Sequence, residues 1–225
     1  MRDRIDVEDP GEAAKRIVTS PGALAVLAQD DRAQMLLRAA ELKRRAAGLE
    51  EVRRVAEDPE ASEHQLQDVL LDNIWIFGGR YVSTLSQRRL TDGKELDIPL
   101  LRADGVLQVV ELKLAMKAGP VIKKHRNTLV PAALVHNAVA QAHDYLVALD
   151  EDRNRIRAEF GIETRRASAT VLVGHPGIHP EHTEAEINDV LRTLNSYTSR
   201  VEVLTYKDLV DSAERTLTGT FDNPA

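Results

Sequence analysis

The sequence of 225 residues contains no cysteine. That excludes a disulfide framework, a thiolate metal site and a cysteine nucleophile, and it suits a reducing cytoplasm. No stretch approaches the roughly 20 apolar residues of a membrane span, so no membrane partner is expected. The N-terminal "MRDRIDVEDPGEAAKR" lacks the apolar centre of a signal peptide. There is no P-loop and no G-x-G-x-x-G, hence no sign of ATP or dinucleotide use. Internal repeats and low-complexity tracts are also missing. So is an excess of positive charge: 30 Lys and Arg face 36 Asp and Glu, a net charge of −6. A protein that coats nucleic acid by bulk electrostatics is disfavoured. An enzyme gripping DNA through one local basic patch is not, and a cluster of metal-binding carboxylates would itself lower the total.

With 43% hydrophobic and 29% charged residues, the chain has ordinary globular composition, enough for one sizeable domain or a domain with a helical extension. Helical spacing of Leu24, Leu27, Met35, Leu36, Ala39 and Leu42 predicts a helix over Ala23–Ala56, with Ser20 as N-cap and Pro21 at its first position. "AEDPEAS" interrupts it, which sets a helical N-terminal segment at 1–58. Ser62 and Gln65 form a capping box for a second helix with Leu66, Val69 and Leu70 on its buried stripe. Three strand-like runs follow: "RYVSTLSQ", "ELDIPLL" and "VLQVVELKL". Then come a polar loop "AMKAGPVIKKHRN", a helix Leu129–Leu149, a strand "ASATVLVGH", a helix Thr183–Ser199, a strand "VEVLTY" and a helix Lys207–Leu217. The order implies an α/β fold with a mixed central sheet flanked by helices over 59–217, and a flexible tail at 218–225.

Within "ELDIPLLRADGVLQVVELKL", Asp97, Glu111 and Lys113 stand in a hairpin that otherwise reads as buried. A three-residue turn, Ala103–Gly105, closed by glycine in the left-handed region pairs Arg102 with Val106 and Asp97 with Glu111. The two carboxylates would then lie about 5 Å apart on one face, with Lys113 two residues on and on the same side. Leu96, Ile98, Val110 and Leu112 would point together into the core. A two-residue Asp-Gly turn would shift this register by one. Opposed carboxylates destabilise a hairpin unless a cation sits between them, and a hard divalent ion, Mg²⁺ in particular, suits oxygen ligands. Lys113 would then orient a water or stabilise charge on a phosphate. The alternative for the same residues is a solvated sheet face with ordinary surface pairs. Acid-x-Lys also occurs at Glu41–Lys43 and Asp92–Lys94, so the tripeptide alone carries little.

The order of elements and these residues resemble the PD-(D/E)xK nuclease core. Asp97 matches its second-strand acid and Glu111-x-Lys113 its third-strand motif, while Leu96 stands where proline often precedes the acid. Glu63 matches the acid frequently carried on the preceding helix, although any acid at a helix start is favoured by the macrodipole. Gln141 and Tyr145 lie one turn apart on the following helix, as in the recombination-nuclease branch. "SEHQLQDVLLDNIWIFGG", "ELDIPLL", "VVELKL" and "AQAHDYL", in that order over about residues 60–150, are further similar to the Shedu family of bacterial anti-phage proteins, with Ile74 where proline is usual. The resemblance implies a restriction-endonuclease-like fold and a Mg²⁺- or Mn²⁺-dependent DNA endonuclease working as a homo-oligomer, dimer or tetramer. Asp97, Glu111 and Glu63 would be metal ligands, Lys113 and Gln141 further catalytic residues. The rival expectation is a catalytically inactive nuclease-fold module that binds DNA or acts as a sensor.

The basic run Lys123, Lys124, His125, Arg126 follows the third strand-like run and is placed to contact DNA phosphates, and the resemblance implies that Tyr145, with Gln141, also contacts DNA. A second basic stretch, Lys43, Arg44, Arg45, Arg53 and Arg54, could meet phosphate or another subunit. His175, His179 and His182 are close in sequence but straddle Gly and Pro without a convergent fourth zinc ligand. Downstream of about residue 175 no motif is recognisable.

Overall fold

The computed structural model describes residues 9–117 and 119–219. The charged N-terminal stretch through residue 8 and the last six residues of the expected tail lie outside them. The chain divides into two compact units between Arg45 and Ala46, inside one long helix.

The first unit contains α1 (Pro10–Thr19), α2 (Pro21–Gln29) and the beginning of α3 (Asp31–Glu57). The single helix expected over Ala23–Ala56 is thus two. Asp30 takes an extended backbone between them, and its carboxylate accepts the Ala33 N–H at 2.9 Å, starting a new helix. Ser20 caps α2 as anticipated, accepting from Ala23 N–H with Pro21 behind it.

The second unit is built on a five-stranded mixed sheet in the order β1-β2-β3-β6-β7: β1 (Tyr81–Thr84), β2 (Ile98–Arg102), β3 (Leu107–Leu112), β6 (Ser168–Leu172) and β7 (Val201–Leu204). The first three are antiparallel, and β3, β6 and β7 run parallel. Helices α4 (Glu63–Asp72), α5 (Ala133–Glu151), α6 (Arg153–Phe160), α7 (Glu184–Tyr197) and α8 (Tyr206–Thr218) complete the unit.

Alternation along the strands sends side chains to two cores. Leu107, Val109, Ala169, Val171, Val201 and Val203 pack with α5 and α7. Ile98, Leu100, Val110, Leu112 and Leu172 pack with the end of α3, α4 and α8. Both faces of β3 are therefore buried throughout, which explains its near-continuous apolar run. The result is a mixed α/β sheet covered on both sides by helices, as the order of elements implied.

Two elements depart from expectation. The stretch taken as a polar loop holds a two-stranded hairpin, β4 (Ile122–His125) and β5 (Thr128–Pro131). In β4 only Ile122 is buried, so no two-residue periodicity marks it. Helix α6 likewise buries Ile156 alone.

Candidate active site

The β2–β3 register is the one a three-residue turn dictates. Ile98 faces Val110 and Leu101 faces Leu107. Arg102 N–H donates to the Val106 carbonyl at 3.0 Å, and Gly105 sits at φ 80°, where a Cβ would be strained. Alternate antiparallel pairs exchange hydrogen bonds. If the ladder continued, Leu112 N–H would reach the Leu96 carbonyl. It does not: Leu112 N–H donates instead to Asp97 Oδ2 at 2.8 Å. Leu96 turns away, donating its N–H to the Arg88 carbonyl at 3.0 Å and receiving Arg88 Nε at 2.7 Å. Leu96 therefore packs in the α5–α7 core and not beside Ile98, Val110 and Leu112 as its spacing suggested. The Asp97 carboxylate has replaced a ladder carbonyl, which ends β2 and holds the side chain at the tip of β3.

Glu111 is 1% exposed, so a solvated sheet face does not describe its surroundings. Its Oε1 accepts Lys113 Nζ at 2.5 Å. Its Oε2 is buried and has no hydrogen-bond partner among the described residues. Burial, and after it the charge of Asp97, push the Glu111 carboxyl up to about 7, against the pull of Lys113. Burial likewise raises Asp97, opposed by the Leu112 N–H and Lys113. Burial alone would lower Lys113; the Glu111 hydrogen bond and the surrounding acids outweigh it, and the ammonium is held above its ordinary value.

Three further elements frame this cluster. Glu63 opens α4 and is exposed, and its charge acts on both Glu111 and Lys113. The Ser62–Gln65 capping box fixes that helix start. One turn later the buried Gln67 donates Nε2 to the Asp97 carbonyl at 2.5 Å, tying α4 to the same strand end. From the other side, Gln141 Nε2 donates to Tyr145 Oη at 2.8 Å, and the Tyr145 hydroxyl donates to the Glu95 carbonyl at 3.4 Å. Tyr145 is 8% exposed. It forms part of the wall, and a ligand would meet the half-buried Gln141 first.

Lys123 and Lys124 on β4 and Arg126 in the β4–β5 turn are exposed and share no hydrogen bond or ion pair with the cluster among the described residues. Arg126 lies at φ 54°, a left-handed conformation costly for a residue with a Cβ. By contrast, Arg44, Arg45, Arg53 and Arg54 are all paired with acids of their own helix. His179 is also committed: its Nε2 accepts the Val121 N–H at 2.9 Å, so Nδ1 carries the proton and faces Glu181 at 3.5 Å. That removes it as a metal ligand.

No group of three or more His, Cys, Asp or Glu side chains among the described residues is gathered tightly enough to hold a metal ion. Glu63 does not close a three-carboxylate cage with the other two acids. Asp97 and Glu111 nevertheless fit a hard cation as a pair. Both are oxygen donors at one strand end, and the orphaned Glu111 Oε2 is an acceptor that a cation would satisfy. Mg²⁺ commonly needs only one or two carboxylates and keeps its waters.

A carboxylate pair and a lysine thus stand at the ends of the second and third strands of a mixed sheet. The chain belongs to the family described as Shedu protein SduA, C-terminal, whose model matches residues 60–210, more than half of the chain. No curated protein matches it. Among solved structures it is similar to the crystal structure of a repair endonuclease from Pyrococcus abyssi, with a TM-score of 0.34 and 17% identity over 66% of this chain. The chain spans 48% of that structure's length. No described helix is long and apolar enough to cross a membrane.

Two residues outside the expected catalytic set, Gln67 and Tyr206, hold the strand ends that carry Asp97 and Lys113. Gln67 shares a helix face with Glu63, the one available signal. Tyr206, on α8, donates its hydroxyl to the Lys113 carbonyl at 2.7 Å, and nothing in its local sequence marks it.

Proposed function

We propose that this chain is a metal-dependent DNA endonuclease of bacterial anti-phage defence, hydrolysing phosphodiester bonds. Membership of the Shedu family and the nuclease-like fold support the general class. The observation that carries the specific reading is the Asp97–Glu111–Lys113 cluster, in which Glu111 is buried with one oxygen unpartnered among the described residues. Asp97 and Glu111, with the charge of Glu63 acting on Glu111 from the start of α4, would hold Mg²⁺ or Mn²⁺, which supplies Lewis acidity toward a water and a phosphate oxygen. Leu112 N–H and Gln67 keep Asp97 in place from its carboxylate and its carbonyl. Lys113 holds positive charge beside the position of a scissile phosphate and stabilises negative charge developing there. Gln141 presents an amide to a water or to a DNA oxygen. The exposed Lys123, Lys124 and Arg126 contact backbone phosphates, which confines DNA to one face of a molecule with net charge −6 and makes binding fall with salt. In this reading the enzyme works in the cytoplasm as a homo-oligomer.

Supercoiled plasmid incubated with purified protein and Mg²⁺ or Mn²⁺ tests the proposal. Nicked or linear product is expected from the wild type. Lys113→Ala should be slower by about 100-fold or more, the usual cost of losing a positioned charge or proton-transfer group. Wild-type protein that leaves plasmid intact with every divalent ion tried would overturn the enzymatic reading. Cleavage persisting in both Lys113→Ala and Asp97→Ala would overturn the site.

A further inference from the structure

We infer that Tyr206 is a positioning residue for Lys113, linking the C-terminal helix α8 to the chemistry at the end of β3. The inference rests on Lys113 being the lysine of the nuclease site. Strand β3 ends at Leu112 and β6 at Leu172, so the residues just beyond them have no regular ladder. Other hydrogen bonds replace it. Lys113 N–H donates to the Leu172 carbonyl at 2.9 Å, and Gly174 N–H to the Leu114 carbonyl at 3.2 Å. Tyr206 supplies two more. Its backbone N–H donates to the Gly174 carbonyl at 3.2 Å, and its phenol donates to the Lys113 carbonyl at 2.7 Å. One residue thus grips both strand ends beside the carboxylates.

The location of Tyr206 is itself fixed. It is fully buried, and it opens α8 immediately after Thr205, which forms a capping box with Asp208. A buried phenol requires an acceptor, and the acceptor taken here belongs to Lys113 itself. The hydroxyl stays a donor, because burial and then the charges of Glu63, Asp97 and Glu111 hold it well above its usual ionisation range. Gly174 adds a constraint of its own. It sits at φ 64°, and a Cβ there would come within 2.3 Å of Val121 Cγ2, so the bridge between Leu114 and Tyr206 tolerates no side chain. Without the phenol, the Lys113 carbonyl is released and the residue can rotate about the end of β3, carrying Nζ away from Glu111. Displacements of about 1 Å in catalytic groups cost up to about 100-fold in rate.

The test compares Tyr206→Phe with Val210→Ala, a core change on the same helix that does not touch Lys113, using plasmid cleavage and the Lys113 Cε resonance in lysine-labelled protein. Tyr206→Phe should lower kcat about tenfold with KM for DNA within about twofold, the pattern of an interaction that acts on the transition state. Replacing Tyr206 by 4-aminophenylalanine, which keeps a donor, should restore most of the rate. Val210→Ala should lower the melting temperature but leave kcat near wild type. Equal losses of kcat in Tyr206→Phe and Val210→Ala, or no loss in Tyr206→Phe, would overturn the assignment. If the wild type cleaves no DNA, the enzymatic reading fails on its own, and the resonance decides the positioning role. A Cε shift in Tyr206→Phe that Val210→Ala does not reproduce supports it; an unmoved resonance overturns it.

Discussion

Two hairpins follow one another along the chain, and both carry lysines, yet they use charge in opposite ways. In β2–β3 Glu111 is buried, Asp97 and Lys113 are half-buried, and each is engaged: Lys113 on Glu111, Asp97 on the backbone of Leu112. In β4–β5 Lys123, Lys124 and Arg126 stand exposed, and the turn holds an arginine in a left-handed conformation. Buried charge is costly unless each member has a partner, so the first hairpin is sensitive to any single deletion. Solvated charge costs little to remove, so the second is nearly neutral for folding. On the proposed function, chemistry falls to the first hairpin and DNA contact to the second.

The sharpest way to break that division is to neutralise charge in each. Asp97→Asn should reduce plasmid cleavage by about 100-fold or more while leaving DNA affinity within about threefold. Neutralising Lys123, Lys124 and Arg126 together should weaken binding instead. Its signature is a smaller slope of log K against log salt, by about 0.9 for each phosphate that the protein no longer neutralises. Filter binding or fluorescence anisotropy across a salt series checks both. A triple variant that binds with an unchanged slope would remove the β4–β5 hairpin from the DNA interface.

Next in size is the stability of the buried pair. Lys113→Ala leaves Glu111 buried without its cation, at a cost of about 3 kcal/mol near pH 8. The loss should shrink toward pH 5, where Glu111 holds a proton. In the wild type, too, the displacement of Glu111 from 4.5 to about 7 has a definite sign. Between those values the folded protein keeps a proton that the unfolded chain has released. This contribution is therefore complete below pH 4.5 and is lost as pH rises through about 7, amounting to about 3 kcal/mol. Other carboxylates titrate over the lower part of that range, so the readout is the difference in melting temperature between wild type and Glu111→Gln. Glu111→Gln, which has no proton to lose, should gain in stability relative to the wild type as pH rises from 5 to 8, whatever the loss of the Lys113 pair costs it at every pH. A gap independent of pH would mean that Glu111 titrates normally.

What could be read from sequence follows the same contrast. The β2–β3 register was readable because a turn signal, Ala103-Asp104-Gly105, and a run of alternating apolar residues constrain each other. The juxtaposition of Asp97, Glu111 and Lys113 followed from it. The departure at Leu96 came one residue beyond the ladder, where a side-chain carboxylate took over a backbone role that spacing cannot reveal. The β4–β5 hairpin was invisible because β4 buries only Ile122. Tyr206 was invisible for another reason: its partner, Lys113, is 93 residues away. It also stands where the strand-like run "VEVLTY" gives way to a helix, and spacing there assigns it no partner. Local pattern sets the elements, while the hydrogen bonds between strand ends exist only once the sheet has assembled.

The smallest effect is expected in the turns, and it sharpens the comparison most cleanly because the two changes act through backbone strain. Gly105→Ala places a Cβ at φ 80° and should cost about 1 kcal/mol. That strain loosens the turn that sets Asp97 against Glu111, so cleavage should fall along with stability. Arg126→Gly does the reverse: it relieves a left-handed arginine at φ 54° and should stabilise by up to about 1 kcal/mol, an effect partly offset by the greater freedom of glycine in the unfolded chain. Its melting temperature should rise slightly while DNA affinity drops. A variant that gains stability and loses binding would show that the protein keeps strain at the β4–β5 tip for the sake of DNA contact. If Arg126→Gly gains stability with affinity unchanged, the arginine is held there by turn geometry alone, and Lys123 and Lys124 remain as the hairpin's DNA-facing residues.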